Sequence, residues 1–91
     1  MQNKQPTGGK NMIVDGNKYI QFELMSDTGK TQHWICVNKA SGSNLGNIQW
    51  YGAWRQYTFR PSAETEFNNS CLDSIIAFLN RLNKEKRIAT A

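Results

Sequence analysis

The sequence predicts an α+β fold: a four-stranded antiparallel sheet, built as a meander, followed by one C-terminal amphipathic helix packed on it. Three observations lead there. Ile20, Phe22 and Leu24 alternate with Tyr19, Gln21 and Glu23, the period of a half-buried strand. Two aromatic-rich runs, 46–51 and 54–60, flank Gly52-Ala53 as the arms of a hairpin would. Beyond Pro61 the apolar period lengthens: Leu72, Ile75, Ile76, Leu79 and Leu82 fall on one helical stripe, flanked by Cys71 and Phe78.

Taken in order, residues 1–17 hold Pro6, Gly8, Gly9 and Gly16 among polar residues and read as a flexible tail. Met12, Ile13 and Val14 are the one place in it where a short edge strand could form. The domain proper spans 18–86, and 87–91 are expected to fray. Ser26 to Lys30 form a turn with Gly29 available for positive φ. The second strand, Gln32 to Asn38, is apolar on both faces, Trp34/Cys36 and Ile35/Val37, so its buried side stays open. Residues 39–44, KASGSN, are a polar loop. A two-residue Gly-X turn of type II′ at Gly52-Ala53 would set Tyr51 opposite Trp54, Trp50 opposite Arg55 and Ile48 opposite Tyr57. Ile48, Trp50, Tyr57 and Phe59 then share an apolar face; Asn47, Gln49, Gln56 and Thr58 share a polar one, with Tyr51 and Trp54 at its tip. Ser70 with Asp73 makes a capping-box-like helix start, with Asn69 as a competing cap, and the helix should end near Asn83 or Lys86.

At 91 residues the chain holds one small domain and a compact core. Ten aromatic side chains exclude a wholly disordered chain. No apolar run approaches the ~20 residues of a membrane span, and no apolar stretch near the start reads as a secretory signal, so a cytoplasmic protein is expected. Two cysteines, Cys36 and Cys71, and one histidine, His33, fall short of a four-ligand zinc site; no metal or cofactor is expected, and the thiols read as reduced core residues. No nucleophile elbow, zinc-protease helix or phosphate-cradling glycine loop is present, and His33 has no partner that spacing can supply, so the expectation is a non-enzymatic protein.

The net charge of +4 is unevenly spread. Residues 18–60 and 81–91 are basic, whereas 61–80 carry Glu64, Glu66 and Asp73 and no cation. The basic end of the helix has a plain explanation in the helix dipole. The segment 50–61, WYGAWRQYTFRP, packs five aromatic rings and two arginines into twelve residues. That chemistry suits single-stranded nucleic acid, in which bases stack on rings and cations track phosphate. Tyr51 and Trp54 are the candidate stacking residues; Arg55, Arg60, Lys18, Lys30 and Lys39 are candidate phosphate contacts. The same residues have structural readings: Tyr51 with Trp54 as a cross-strand pair or a self-association patch, Arg55 as a lid on Trp50, Arg60 as a cap on the sheet edge.

The run LGNIQWYGAWRQYTFRP (45–61), then Thr65 to Phe67 and the helix from Cys71, resembles a group of small phage and bacterial proteins of unassigned activity. Their shared string is W-Y-G-P-W-R-Q-Y-x-F-x-P before a Leu/Ile-rich helix; Ala53 stands here in place of the proline. The resemblance implies a phage setting and no activity. The layout alone is similar to the whirly class of single-strand DNA-binding coactivators, which implies a homodimer with nucleic acid on the sheet and assigns no residue. The expected function is therefore single-stranded DNA binding through the sheet by a homodimeric phage protein. The alternative is a module that binds a host or phage protein through the same exposed face.

Overall fold

The computed structural model describes residues 12–90. Five strands and one helix follow in order: β1 (Ile13–Asp15), β2 (Ile20–Asp27), β3 (Gln32–Asn38), β4 (Asn44–Tyr51), β5 (Gln56–Pro61) and α1 (Asn69–Thr90). The strands pair antiparallel in chain order, so the sheet is an open meander of five strands rather than four. The extra strand lies in the stretch expected to be tail, at Met12 to Val14, where the sequence allowed a short edge strand: Val14 pairs with Phe22, and the Leu24 N–H donates to the Met12 carbonyl at 2.9 Å. Residues 1–11 of that expected tail lie outside the described residues.

Each strand sorts its side chains by the period of two. Ile20, Phe22 and Leu24 point toward α1 and are buried. On β3 the inward set is Trp34 and Cys36, leaving Ile35 and Val37 on the opposite face. Phe78 of α1 decides this: it stacks on Phe22 with ring centroids 4.4 Å apart and meets Trp34 edge to face at 4.9 Å. Gly46 has the close approach that only glycine allows, because a Cβ there would lie 2.6 Å from the Phe59 ring.

The β4–β5 register differs from the sequence expectation by two residues. Tyr51 lies opposite Gln56, Trp50 opposite Tyr57 and Ile48 opposite Phe59. The loop is therefore four residues long, 52–55. The Trp54 N–H donates to the Tyr51 carbonyl and the Arg55 N–H to the Gly52 carbonyl, each at 3.2 Å. Positive φ falls on Arg55, at 55°, and not on Gly52 as a type II′ turn requires. A shift of two leaves the strand side chains on their predicted faces, so the apolar and polar faces of the hairpin survive, while Trp54 and Arg55 pass into the loop.

The helix is capped by Asn68, whose side-chain oxygen accepts the Cys71 N–H at 2.8 Å, rather than by Asn69 or Ser70. Ser70 instead accepts a hydrogen bond from Asn17 at 2.8 Å. α1 continues through Thr90, past its expected end and through most of the segment expected to fray. Its buried stripe is Cys71, Ile75, Phe78 and Leu82; Leu72 and Ile76, expected inside, are about half exposed. Leu72 and Ile76 lie on the flank of α1 that also carries Asn83, at the β5 edge, and stay in solvent.

The β5 edge is blunted. At Tyr57 both outward-facing backbone groups are engaged by Asn83: the N–H donates to Oδ1 at 2.7 Å and the carbonyl accepts from Nδ2 at 3.5 Å. Pro61 has no N–H to offer at the end of the strand. The edge is thus a poor template for a further strand. Asn83→Ala removes both contacts and is expected to cost about 1–2 kcal/mol, read as a lower urea midpoint; a change under about 0.3 kcal/mol would show that the clasp holds nothing.

Burial pushes the Cys36 thiol up to about 12, with a smaller contribution from Cys71 nearby, so it stays protonated at neutral pH. Both cysteines are free and buried. The Tyr57 phenol is also raised, first by burial and further by Asp27 and Glu85, while the hydrogen bond it accepts from the Gln32 N–H at 2.9 Å works the other way. Both groups hold their protons more tightly folded than unfolded. The stability tied to them is complete below their ordinary values and is lost as pH rises through the folded ones. The urea midpoint should fall from about pH 9 toward 12, and less steeply in Cys36→Ala; a flat midpoint across that range would contradict the burial of both groups.

Candidate nucleic-acid interface

The meander sorts the loops to two ends of the sheet. The β2–β3 turn (28–31) and the β4–β5 loop (52–55) lie at one end; the β3–β4 loop (39–43) and the β5–α1 crossing (62–68) lie at the other. α1 starts at the second end, where Ser74 donates to the Gly16 carbonyl at 3.1 Å. It runs to the first, where the Lys86 ammonium donates to the Lys30 carbonyl at 2.6 Å. Twenty-two helical residues span ~33 Å and eight strand residues ~26 Å, so the last turns of α1 reach past the sheet.

This arrangement divides the predicted site residues. Tyr51, Trp54, Arg55 and Lys30 come together at the first end. Lys18 and Lys39 sit at the other: the Lys39 N–H donates to the Tyr19 carbonyl at 2.8 Å, Lys18 lies over the Tyr19 ring at 5.2 Å, and the Lys39 ammonium pairs with Asp15. Glu64 and Glu66 belong to the crossing at that end, where Glu64 holds a positive φ of 58°. Arg60 lies elsewhere again, exposed on the face opposite α1 and level with Asn47 near the far end of β5.

At the first end the rings are arranged as pairs. Trp54 is 66% exposed and meets Tyr51 edge to face, centroids 5.1 Å apart and planes at 81°. Trp50 is half-buried on the α1 side and meets Tyr57 edge to face at 5.5 Å. The cation over Trp50 is Lys86, 5.3 Å from the ring centroid, in the place the sequence suggested for Arg55. Arg55 is held instead in the left-handed region by the loop.

The helix end supplies what sequence reading assigned to the dipole alone. Lys84, Lys86 and Arg87 join Lys30 and Arg55 at this end, against Asp27 and Glu85, whereas Arg81 lies back along the helix beside Asp15 and Gly16. The two carboxylates have local partners: Asp27 accepts from the Gly29 N–H at 2.8 Å and from Gln32 at 3.0 Å, and Glu85 pairs with Arg81 at 3.2 Å. Among the described residues neither Lys30 nor Arg55 has an ion-pair partner. The signal for this grouping was the basic run 84–87 itself; only the helix length and direction bring it beside the aromatic loop.

A concavity of about 750 Å³ lies at the opposite end, between the β3–β4 loop and the β5–α1 crossing. It is wide open, walled by Asn38, Ser41, Ser43 and Thr65 with Glu64 and Glu66, and far from the aromatic loop. Among the described residues no helix is long and apolar enough to cross a membrane.

No protein-family model matches the sequence, and no solved structure matches it. The chain is similar to an "Uncharacterized 9.3 kDa protein" of Acholeplasma phage L2, 34% identical over 77 residues. The match covers 84% of this chain and 99% of the phage protein. Over such a span the likeness extends well beyond the hairpin string alone. The chain therefore belongs to the family of small phage proteins that includes this 9.3 kDa protein.

Proposed function

We propose that the protein binds single-stranded nucleic acid, single-stranded DNA foremost, without enzymatic chemistry, in the cytoplasm of the phage host. Contact is made at the basic–aromatic end of the sheet and not across its open face. The observation that carries this reading is Trp54, a large ring 66% exposed, beside an arginine kept at a φ of 55°. A non-glycine residue there costs about 1–2 kcal/mol relative to the right-handed form. A side chain that does nothing would be better replaced by glycine, so the strain is consistent with a role for the guanidinium. Trp54 and Tyr51 supply stacking surface; Lys30, Arg55 and the last turns of α1 supply charge for phosphates. The open face fits a polyanion poorly, because Asp15 and Glu23 both project from it.

Fluorescence anisotropy with labelled single-stranded and duplex oligonucleotides tests this, at about 50 and 200 mM salt. Binding should prefer single strands, and log K should fall by ~0.7 per unit log salt for each phosphate neutralised, two to four in all. Trp54→Ala should weaken binding roughly 5- to 100-fold, the loss of one stacked base, with thermal stability retained. No salt-dependent binding at the lower salt would sink the proposal and leave the protein-interaction reading.

Arg55→Gly separates function from structure at one position. It should raise stability by about 0.5–1 kcal/mol, by relieving the left-handed strain, while weakening nucleic-acid binding and lowering the salt slope by ~0.7. A loss of stability with unchanged binding would make Arg55 a structural residue.

A further inference from the structure

We propose that two copies of the chain pair through the sheet face that α1 leaves open. A two-fold axis parallel to the strands relates them, and Glu23 of each copy reaches Arg60 of the partner subunit. The register aligns one row across that face: Ile13, Glu23, Ile35, Asn47 and Arg60, one residue from each strand. Its carboxylate is on β2 and its guanidinium on β5, ~14 Å apart at three strand spacings, too far to pair within one chain. Among the described residues neither has an ion-pair partner; Glu23 accepts only a hydrogen bond from Gln21, at 3.1 Å. Between them the middle strand presents Ile35, and at the β1 edge Ile13 is more than half exposed.

The charges select the symmetry. Two sheets stacked face to face, ~10 Å apart, can be related by an in-plane axis along the strands or across them. An axis across the strands sets β2 over β2 and β5 over β5, bringing Glu23 near Glu23 and Arg60 near Arg60. An axis along β3 sets β2 over β4 and β1 over β5. Each Glu23 then lies about one strand spacing from the partner subunit's Arg60, Ile35 packs on Ile35, and Ile13 covers the arginine stem. The contact is isologous, so the ion pair forms twice. A face of roughly 20 by 20 Å is at the small end for a specific interface, which implies a weak dimer.

The pairing itself does not rest on the nucleic-acid reading, but it has a consequence for it. An axis along the strands leaves both Trp54–Arg55 ends pointing the same way, so one dimer offers two contact ends to a single strand.

Sedimentation velocity on the full chain without nucleic acid, from about 10 to 500 µM, tests the pairing independently of DNA binding. The chain should shift from monomer to dimer over that range. Glu23→Arg or Arg60→Glu alone should weaken association at least ~10-fold, and the two together should restore it to within ~3-fold. Ile76→Glu, on the exposed flank of α1, should leave it unchanged. A chain that stays monomeric throughout, single reversals without effect, or reversals that do not rescue each other would overturn the proposal. So would dissociation by Ile76→Glu, which would place the contact on the helix.

Discussion

The insertion of Phe78 between Phe22 and Trp34 is the contact on which the rest of the structure depends. It stacks on the first ring and meets the second edge to face, so it fixes both where α1 crosses the sheet and how the helix is rotated about its axis. Truncating a ring so placed typically costs ~3–5 kcal/mol, much of what a domain this small has to hold it together. The rotation has consequences on both sides. It buries Cys71, Ile75 and Leu82 and turns Leu72 and Ile76 outward. It also swings Asn83 over the β5 edge, where its amide occupies backbone groups that another strand could otherwise use.

The crossing then determines the electrostatics. The chain alternates end to end through five strands, so the turns at 28–31 and 52–55 share an end, and α1 finishes there. Lys30, Arg55 and the basic last turns of the helix are thereby collected beside Tyr51 and Trp54, while Glu64 and Glu66 are left at the other end. The molecule is polarised along its strands although its net charge is modest. Such a gradient would orient a charged partner before contact, and it sets Lys18 and Lys39, cations of the same chemistry, apart from the proposed contact. They are at the acidic end, and Lys39 is already engaged by Asp15.

Much of this was legible in the residues, and the parts that were not have physical causes. Strand β2 is read directly from its alternation because one face is apolar and the other is not. Strand β3 cannot be read so, since Trp34/Cys36 and Ile35/Val37 are equally apolar until Phe78 chooses between them. The hairpin faces are predictable although its register is not. A two-residue error conserves the faces, and the competition between a Gly-X turn and a four-residue loop was settled by Arg55 accepting positive φ. β1 stayed outside the four-strand count, although Met12 to Val14 allowed an edge strand, because three residues give too short a pattern. For the site, the aromatic–arginine hairpin was visible as composition. The contribution of residues 84–87 was not, because it depends on a long-range fact: how far a helix of 22 residues reaches past the strands it covers.

The proposed nucleic-acid contact lies at one end of the sheet. Backbone amide chemical-shift mapping of the ¹⁵N-labelled protein, titrated with a short oligothymidylate, tests that placement residue by residue. Shifts should be confined to residues 29–31, 50–56 and 84–87, with Lys18, Lys39 and the 62–68 crossing unmoved. Shifts centred on the open-face row of Glu23, Ile35, Asn47 and Arg60, or none at all at saturating oligonucleotide, would contradict that placement.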